Sequence, residues 1–202
     1  CNPQGIRSAS HNREGVGTDG PTSASGCLVY SSSDRPTDLR FETALLDVIG
    51  PCEIHVFNPY GLRKEDGGEL PVNTHLHLWG FEKSDSKLLE SKTPDIKSMQ
   101  DTVRILGHGN RTVDLFVIDC GGCELDVVDD WFDHSWSDNK RNGVDFMQVM
   151  VKVHSARHKI MERFFNNFLR NGYVTYFKGK KERGGGSRWY GFLKLSPDYF
   201  VR

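Results

Sequence analysis

Thr112-Val-Asp-Leu-Phe-Val-Ile-Asp119 runs directly into Cys120-Gly-Gly-Cys123 and then into Glu124-Leu-Asp-Val-Val-Asp-Asp-Trp-Phe132. A continuous run of β-branched and aromatic residues that ends in an acid and breaks at two glycines predicts a strand buried on both faces, a tight turn and a helix. Ligands of open α/β sheets bind at the carboxyl ends of the strands. Asp119 and the Gly121-Gly122 turn therefore stand where chemistry belongs.

Working outward, the same pattern of strand, loop and helix recurs. Cys27-Leu-Val-Tyr-Ser31 reads as the first buried strand. After the loop Ser32-Ser-Asp-Arg-Pro-Thr37, with Thr37 or Asp38 as a cap, a helix carries Phe41, Leu45 and Val48 at helical spacing and stops at Gly50-Pro51. Cys52-Glu-Ile-His-Val-Phe57 is the second strand, Tyr60 to Asn73 a loop, and His75 to Trp79 a third, short strand. Asp95 to Leu106 reads as a helix with Ile96, Met99, Val103 and Leu106 on one side and Gly107 beyond its end. Past the central strand, Phe146 to Val153 is a fifth buried strand. A long helix from about Ser155 to Arg170 follows it, with Ile160, Phe164 and Phe168, joined by Phe165 and Leu169, on its apolar face. Tyr173 to Phe177 and Trp189 to Leu195, flanking Gly184-Gly-Gly-Ser187, form a hairpin. The expected fold is α/β, a mostly parallel Rossmann-like sheet with a C-terminal antiparallel hairpin. Residues 1–26 are rich in Gly, Ser, Asn and Thr without a hydrophobic period and read as an irregular arm, so residues 27–202 form a single domain.

Composition narrows the classes. A chain of 202 residues can bury a full core. A net charge of -1 argues against a nucleic-acid binder, and no apolar run is long enough to span a membrane. Five cysteines are too few for a disulfide scaffold. Asn110-Arg-Thr112 is a formal glycosylation acceptor and gives a lean toward a secretory route or an organelle lumen.

Seven blocks in order carry a resemblance: Cys27-Leu-Val-Tyr-Ser31, Cys52-Glu-Ile-His-Val-Phe-Asn-Pro59, Leu106-Gly-His108, Val113 to Asp119, Gln148-Val-Met-Val-Lys-Val-His154, Gly172-Tyr-Val-Thr175 and Phe192 to Phe200. Over residues 27 to 200 the chain resembles the FkbM-related methyltransferase-like family, of the class I S-adenosylmethionine-dependent fold. The resemblance implies S-adenosylmethionine as cofactor, lying across Ser31, Ser32, Ser33 and Asn58, and a small-molecule or glycan hydroxyl as acceptor. It makes Asp119 the general base or substrate-orienting carboxylate.

Four departures fall on the ligand positions. Ser32-Ser-Asp-Arg-Pro36 stands where the family has glycines that let the backbone approach the ligand. Asn58 replaces the acid that bonds the ribose, Gly121 the family's glutamate, and Lys152 a second one, while His154 is kept. These departures support a second reading, a cofactor-free, inactive pseudo-methyltransferase. Such a protein would serve as a structural or interaction subunit, with the arm and the hairpin holding protein partners.

Other constellations carry their own alternatives. Asp119 can serve simply as the N-cap of the helix at Glu124. Cys120 and Cys123 sit at a strand-to-helix junction suited to a redox pair, the basis of a third reading as a thiol-disulfide protein; otherwise they are two small buried residues or a local bridge. Cys27 and Cys52 open neighbouring strands and are candidates for a disulfide. His75 and His77 share one face of a strand and could share a metal, although no third ligand is visible nearby, and a half-exposed strand face explains them equally well. Lys178-Gly-Lys-Lys-Glu-Arg183 with Arg188 is a basic hairpin tip. Trp189, Tyr190, Phe192, Tyr199 and Phe200 alternate between faces too much to be all core.

Overall fold

The computed structural model describes residues 26–33, 39–62, 69–81, 95–135, 144–154, 158–180 and 186–196. The arm up to residue 25, Asp34 to Asp38, the hairpin tip from Lys181 to Gly185, and Tyr199 and Phe200 lie outside them.

In chain order the elements are β1 (Cys27–Ser33), α1 (Arg40–Ile49), β2 (Cys52–Phe57), β3 (Thr74–His77), β4 (Trp79–Phe81), β5 (Asp95–Lys97), α2 (Met99–Leu106), β6 (Thr112–Asp119), α3 (Glu124–Ser135), β7 (Asp145–Val153), α4 (His158–Arg170), β8 (Tyr173–Lys178) and β9 (Arg188–Lys194). Seven strands form one sheet in the order β3-β2-β1-β6-β7-β9-β8; the first five are parallel, and β9 pairs antiparallel with both β7 and β8. This is an α/β Rossmann-like methyltransferase fold, as the sequence implied. The last strand is not at the border: β9 inserts between β7 and β8, and β8 becomes the edge, exposed at all but Tyr173.

Right-handed crossovers distribute the helices. The chain runs one way from β1 to β3 and the other way from β6 to β8, so α1 covers one face and α2, α3 and α4 the other. The alternation of side chains follows. Val29, Leu115, Val117 and Met150 face α1, whereas Tyr30, Phe116, Ile118 and Val149 face the three-helix layer. Leu115 to Ile118 are all buried, as a strand covered on both sides requires. The reversal of direction between β1 and β6 creates the crevice in which such sheets place ligands.

Several local expectations are corrected. The helix foreseen from Asp95 starts at Met99, because Ser98 Oγ accepts a hydrogen bond from Asp101 N–H at 3.0 Å and caps it there. Asp95–Lys97 instead pairs with Trp79–Phe81 in a separate two-stranded sheet, so the strand foreseen from His75 to Trp79 is divided in two. Gly107 does end α2 in the left-handed region, at φ 70°. On α1 two stripes share Leu45. The structure buries Glu42, Leu45, Leu46 and Ile49 to varying degrees and leaves Phe41 and Val48 exposed. On α4, Phe164 and Phe168 are buried and Phe165 packs beside them, but Ile160 and Leu169 are exposed.

One glycine is fixed by close approach. A Cβ on Gly191 of β9 would lie 2.9 Å from Tyr176 Cζ, 3.0 Å from Met150 Sδ and 3.0 Å from Phe177 Cβ. Gly191→Ala is expected to destabilise the protein by about 1–3 kcal/mol, the range for overpacking a filled interior. Urea titration against the parent checks this; an unchanged midpoint would mean the hairpin is not packed this tightly.

Candidate active site

β1 and β6 are in register so that Ser31 pairs with Val117, Ser32 with Ile118 and Ser33 with Asp119. Their carboxyl ends, on the α1 face, line a cavity of about 410 Å³. Val117, Asp119 and Met150 form its floor, Ser31, Ser32 and Ser33 one side, Phe41 and Glu42 of α1 a second, and Phe177 and Trp189 of the hairpin a third. The volume lies within the range of about 300–1,000 Å³ usual for small-molecule sites. Four of the five sequence-chosen residues, Ser31, Ser32, Ser33 and Asp119, are thus brought together. Asn58 is fully buried at the end of β2, where its Oδ1 accepts from Tyr60 N–H at 2.9 Å and shapes the following turn; it does not line the cavity.

Asp119 is held asymmetrically. Lys152 Nζ donates to its Oδ2 at 3.3 Å, and Lys152 also stands over the Trp189 ring at 6.0 Å. The other oxygen, Oδ1, is buried and has no hydrogen-bond partner among the described residues. Asp119 is therefore not the cap of α3. Glu124, the first residue of α3, has a buried carboxylate that accepts from Gly122 N–H at 2.8 Å through one oxygen and from His154 N–H at 2.8 Å through the other, with His154 Nδ1 3.0 Å away. Glu124 thereby ties the β6–α3 turn to the end of β7. The turn itself needs glycine, since Gly121 and Gly122 have φ of 64° and 131°. Cys120 and Cys123, read above as a redox pair, as two small buried residues or as a local bridge, are joined by a disulfide across this turn, with Cα atoms 5.5 Å apart.

Sequence reading passed over Glu42 and Glu124. Glu42 is 3% exposed and lines the cavity. An acid at a core position of an amphipathic helix was the available signal, but Phe41 offered a more apolar stripe. Glu124 sits in the first turn of a helix, where acids are common for electrostatic reasons and attract no notice.

A second polar cluster lies on the opposite face of the sheet. His77 Nε2 is 2.8 Å from His55 Nδ1, so the strand pair His75 and His77 does acquire neighbours, from β2 and from the α2–β6 loop. Burial, reinforced by the surrounding charges, lowers the His77 and His108 side chains to pKa about 4. Burial alone would raise Glu53, but hydrogen bonds from His55 and Arg111 hold it down at about 2.

Comparison with known families decides the relationship, since the family described as "Methyltransferase domain" matches residues 1–194. The chain belongs to this family. No curated protein matches it significantly. The match covers nearly the whole chain. The cavity suits the cofactor general to such domains. Asp119 and the serine hydroxyls offer sites for polar groups, the carboxylates suit cationic ones, and Phe41, Trp189, Phe177 and Met150 offer apolar surface for a ring.

Proposed function

We propose that this domain binds S-adenosylmethionine across Ser31, Ser32 and Ser33 and methylates a hydroxyl of a small molecule or glycan, as the likeness to FkbM-type sequences implies. The observation that carries this reading is Asp119, which lines a cavity at the crevice between β1 and β6 with one carboxylate oxygen buried and unpartnered among the described residues. The cofactor supplies an electrophilic methyl group. Asp119 supplies the complementary function: its carboxylate accepts the acceptor's proton as the acceptor's oxygen attacks, while Lys152 donates to Oδ2 and so fixes the orientation of the carboxylate. Asn58 holds the β2 turn beside the site, and Glu124 keeps the β6–α3 turn in place.

The second reading, a scaffold that has lost the cofactor, is favoured by one feature. Ser32 puts a buried side chain where glycine backbone would admit a ligand.

Calorimetric titration of S-adenosylmethionine separates the two. The expected result is a micromolar Kd for the parent, and a Kd within a few-fold of it in Asp119→Ala and in Asn58→Ala, whose side chain lies outside the cavity lining. Once an acceptor is in hand, Asp119→Ala should lower its turnover by about 10²–10⁴, the usual contribution of a positioned base. No binding at millimolar cofactor would sink the enzyme and leave the scaffold.

A further inference from the structure

We propose that Glu53, His55 and His108 form a zinc site on the sheet face opposite the cavity. His55 Nε2 lies 3.0 Å from Glu53 Oε1 and His108 Nε2 lies 3.7 Å from the same oxygen; all three ligand atoms fall within 4.8 Å of one another. Ligand atoms of a tetrahedral zinc ion, each about 2.0–2.2 Å from the metal, are roughly 3.3 Å apart. Small rotamer adjustments therefore bring the set onto an ion. Two imidazoles and one carboxylate are a known donor set for zinc, with the fourth position left to water.

The groups behind the ligands support the assignment. A histidine that binds metal through Nε2 needs a fixed acceptor for its Nδ1–H. His108 Nδ1 is 2.7 Å from the Tyr30 hydroxyl, and His55 Nδ1 is 2.8 Å from His77 Nε2. Both rings are thus turned with Nε2 toward the carboxylate. Both are nearly buried, whereas Glu53 and Arg111 are about one-third exposed and leave a way in for the ion. Arg111 donates to Glu53 Oε2 at 2.6 Å, which orients the carboxylate from its far side. Its other approach, 3.4 Å to His108 Nε2, is surrendered when the metal takes that lone pair. His75, stacked on His55 at 4.9 Å between centroids, contributes no ligand.

The test is titration of the full chain, stripped with a chelator, with zinc against a chromogenic competitor, and a parallel cobalt titration read by visible absorption. The expected result is one zinc per chain and a tetrahedral cobalt spectrum. Glu53→Gln, which keeps the side chain's shape, and His108→Ala should each weaken zinc by more than about tenfold, Tyr30→Phe by about tenfold through loss of the orienting bond, and His75→Ala by less than about twofold. Circular dichroism confirms that each variant is folded; should His108→Ala fail to fold, Glu53→Gln decides alone. Failure of the parent to compete for zinc, or stoichiometric binding that survives Glu53→Gln, would overturn the proposal and leave the cluster as a buried hydrogen-bond network.

Discussion

Phe168→Ala is expected to lower the unfolding free energy by about 3–5 kcal/mol, the largest effect of any single truncation considered. Phe168 is 1% exposed and stacks on Phe192 of β9 with centroids 3.7 Å apart and planes 5° from parallel. Phe164, Phe132, Tyr173 and Trp131 surround it with centroids 5.2, 5.2, 5.5 and 6.1 Å away. This one ring therefore joins α4, α3, the inserted strand and the edge strand, and rigid rings from four elements cannot collapse into the space it leaves. Urea unfolding measures the cost, with an unchanged slope showing that only stability has moved. Leu169→Ala, at the next position but 66% exposed, should fall within about 0.5 kcal/mol of the parent. Similar costs for the two would mean that α4 is not docked as described.

Removing the bridge between Cys27 and Cys52 should cost about 2–5 kcal/mol. The two residues pair directly across β1 and β2, with Cα atoms 4.8 Å apart, and are 25 positions apart in sequence. The bridge thus closes a loop containing all of α1 and restricts the unfolded chain accordingly. The Cys120–Cys123 bridge spans only three positions and should matter far less to stability. Cys27→Ala/Cys52→Ala and Cys120→Ala/Cys123→Ala double variants, compared by thermal unfolding, check the order. A larger loss from the second pair would contradict it and would show that the β6–α3 turn is held by its disulfide more than by Glu124.

Asp119 and Cys27 show how far sequence reaches. A run such as Thr112 to Asp119 reads as a covered strand, because five of its eight side chains are apolar and four of these, Leu115 to Ile118, are consecutive, and its terminal acid marks the ligand edge. The bridge was legible because strands that follow one another are usually neighbours and start level. The stripe Phe41-Leu45-Val48 was chosen because it and Glu42-Leu45-Ile49 are both helical in spacing and the first is the more apolar, whereas the structure buries Glu42 and leaves Phe41 and Val48 exposed. Asp95–Lys97 failed as helix because a local cap at Ser98 and a partner strand at Trp79–Phe81 together outweighed its periodicity.

Sequence alone determined the strands of the main sheet and most of the helices, the parallel character of that sheet, the central strand with Asp119 at its end, and the kinship with methyltransferases. These are local or patterned properties, written in the spacing of apolar residues and in the turn-forming glycines. Only the tertiary structure decided which residues face one another: Lys152 against Asp119, Glu124 against His154, Glu42 in the cavity wall, and Glu53 and His55 against His108. The physical reason is that each such pair spans a crossover or a strand boundary. Contacts of that kind depend on strand register and on the face each helix covers, and neither is encoded in any short stretch of the chain.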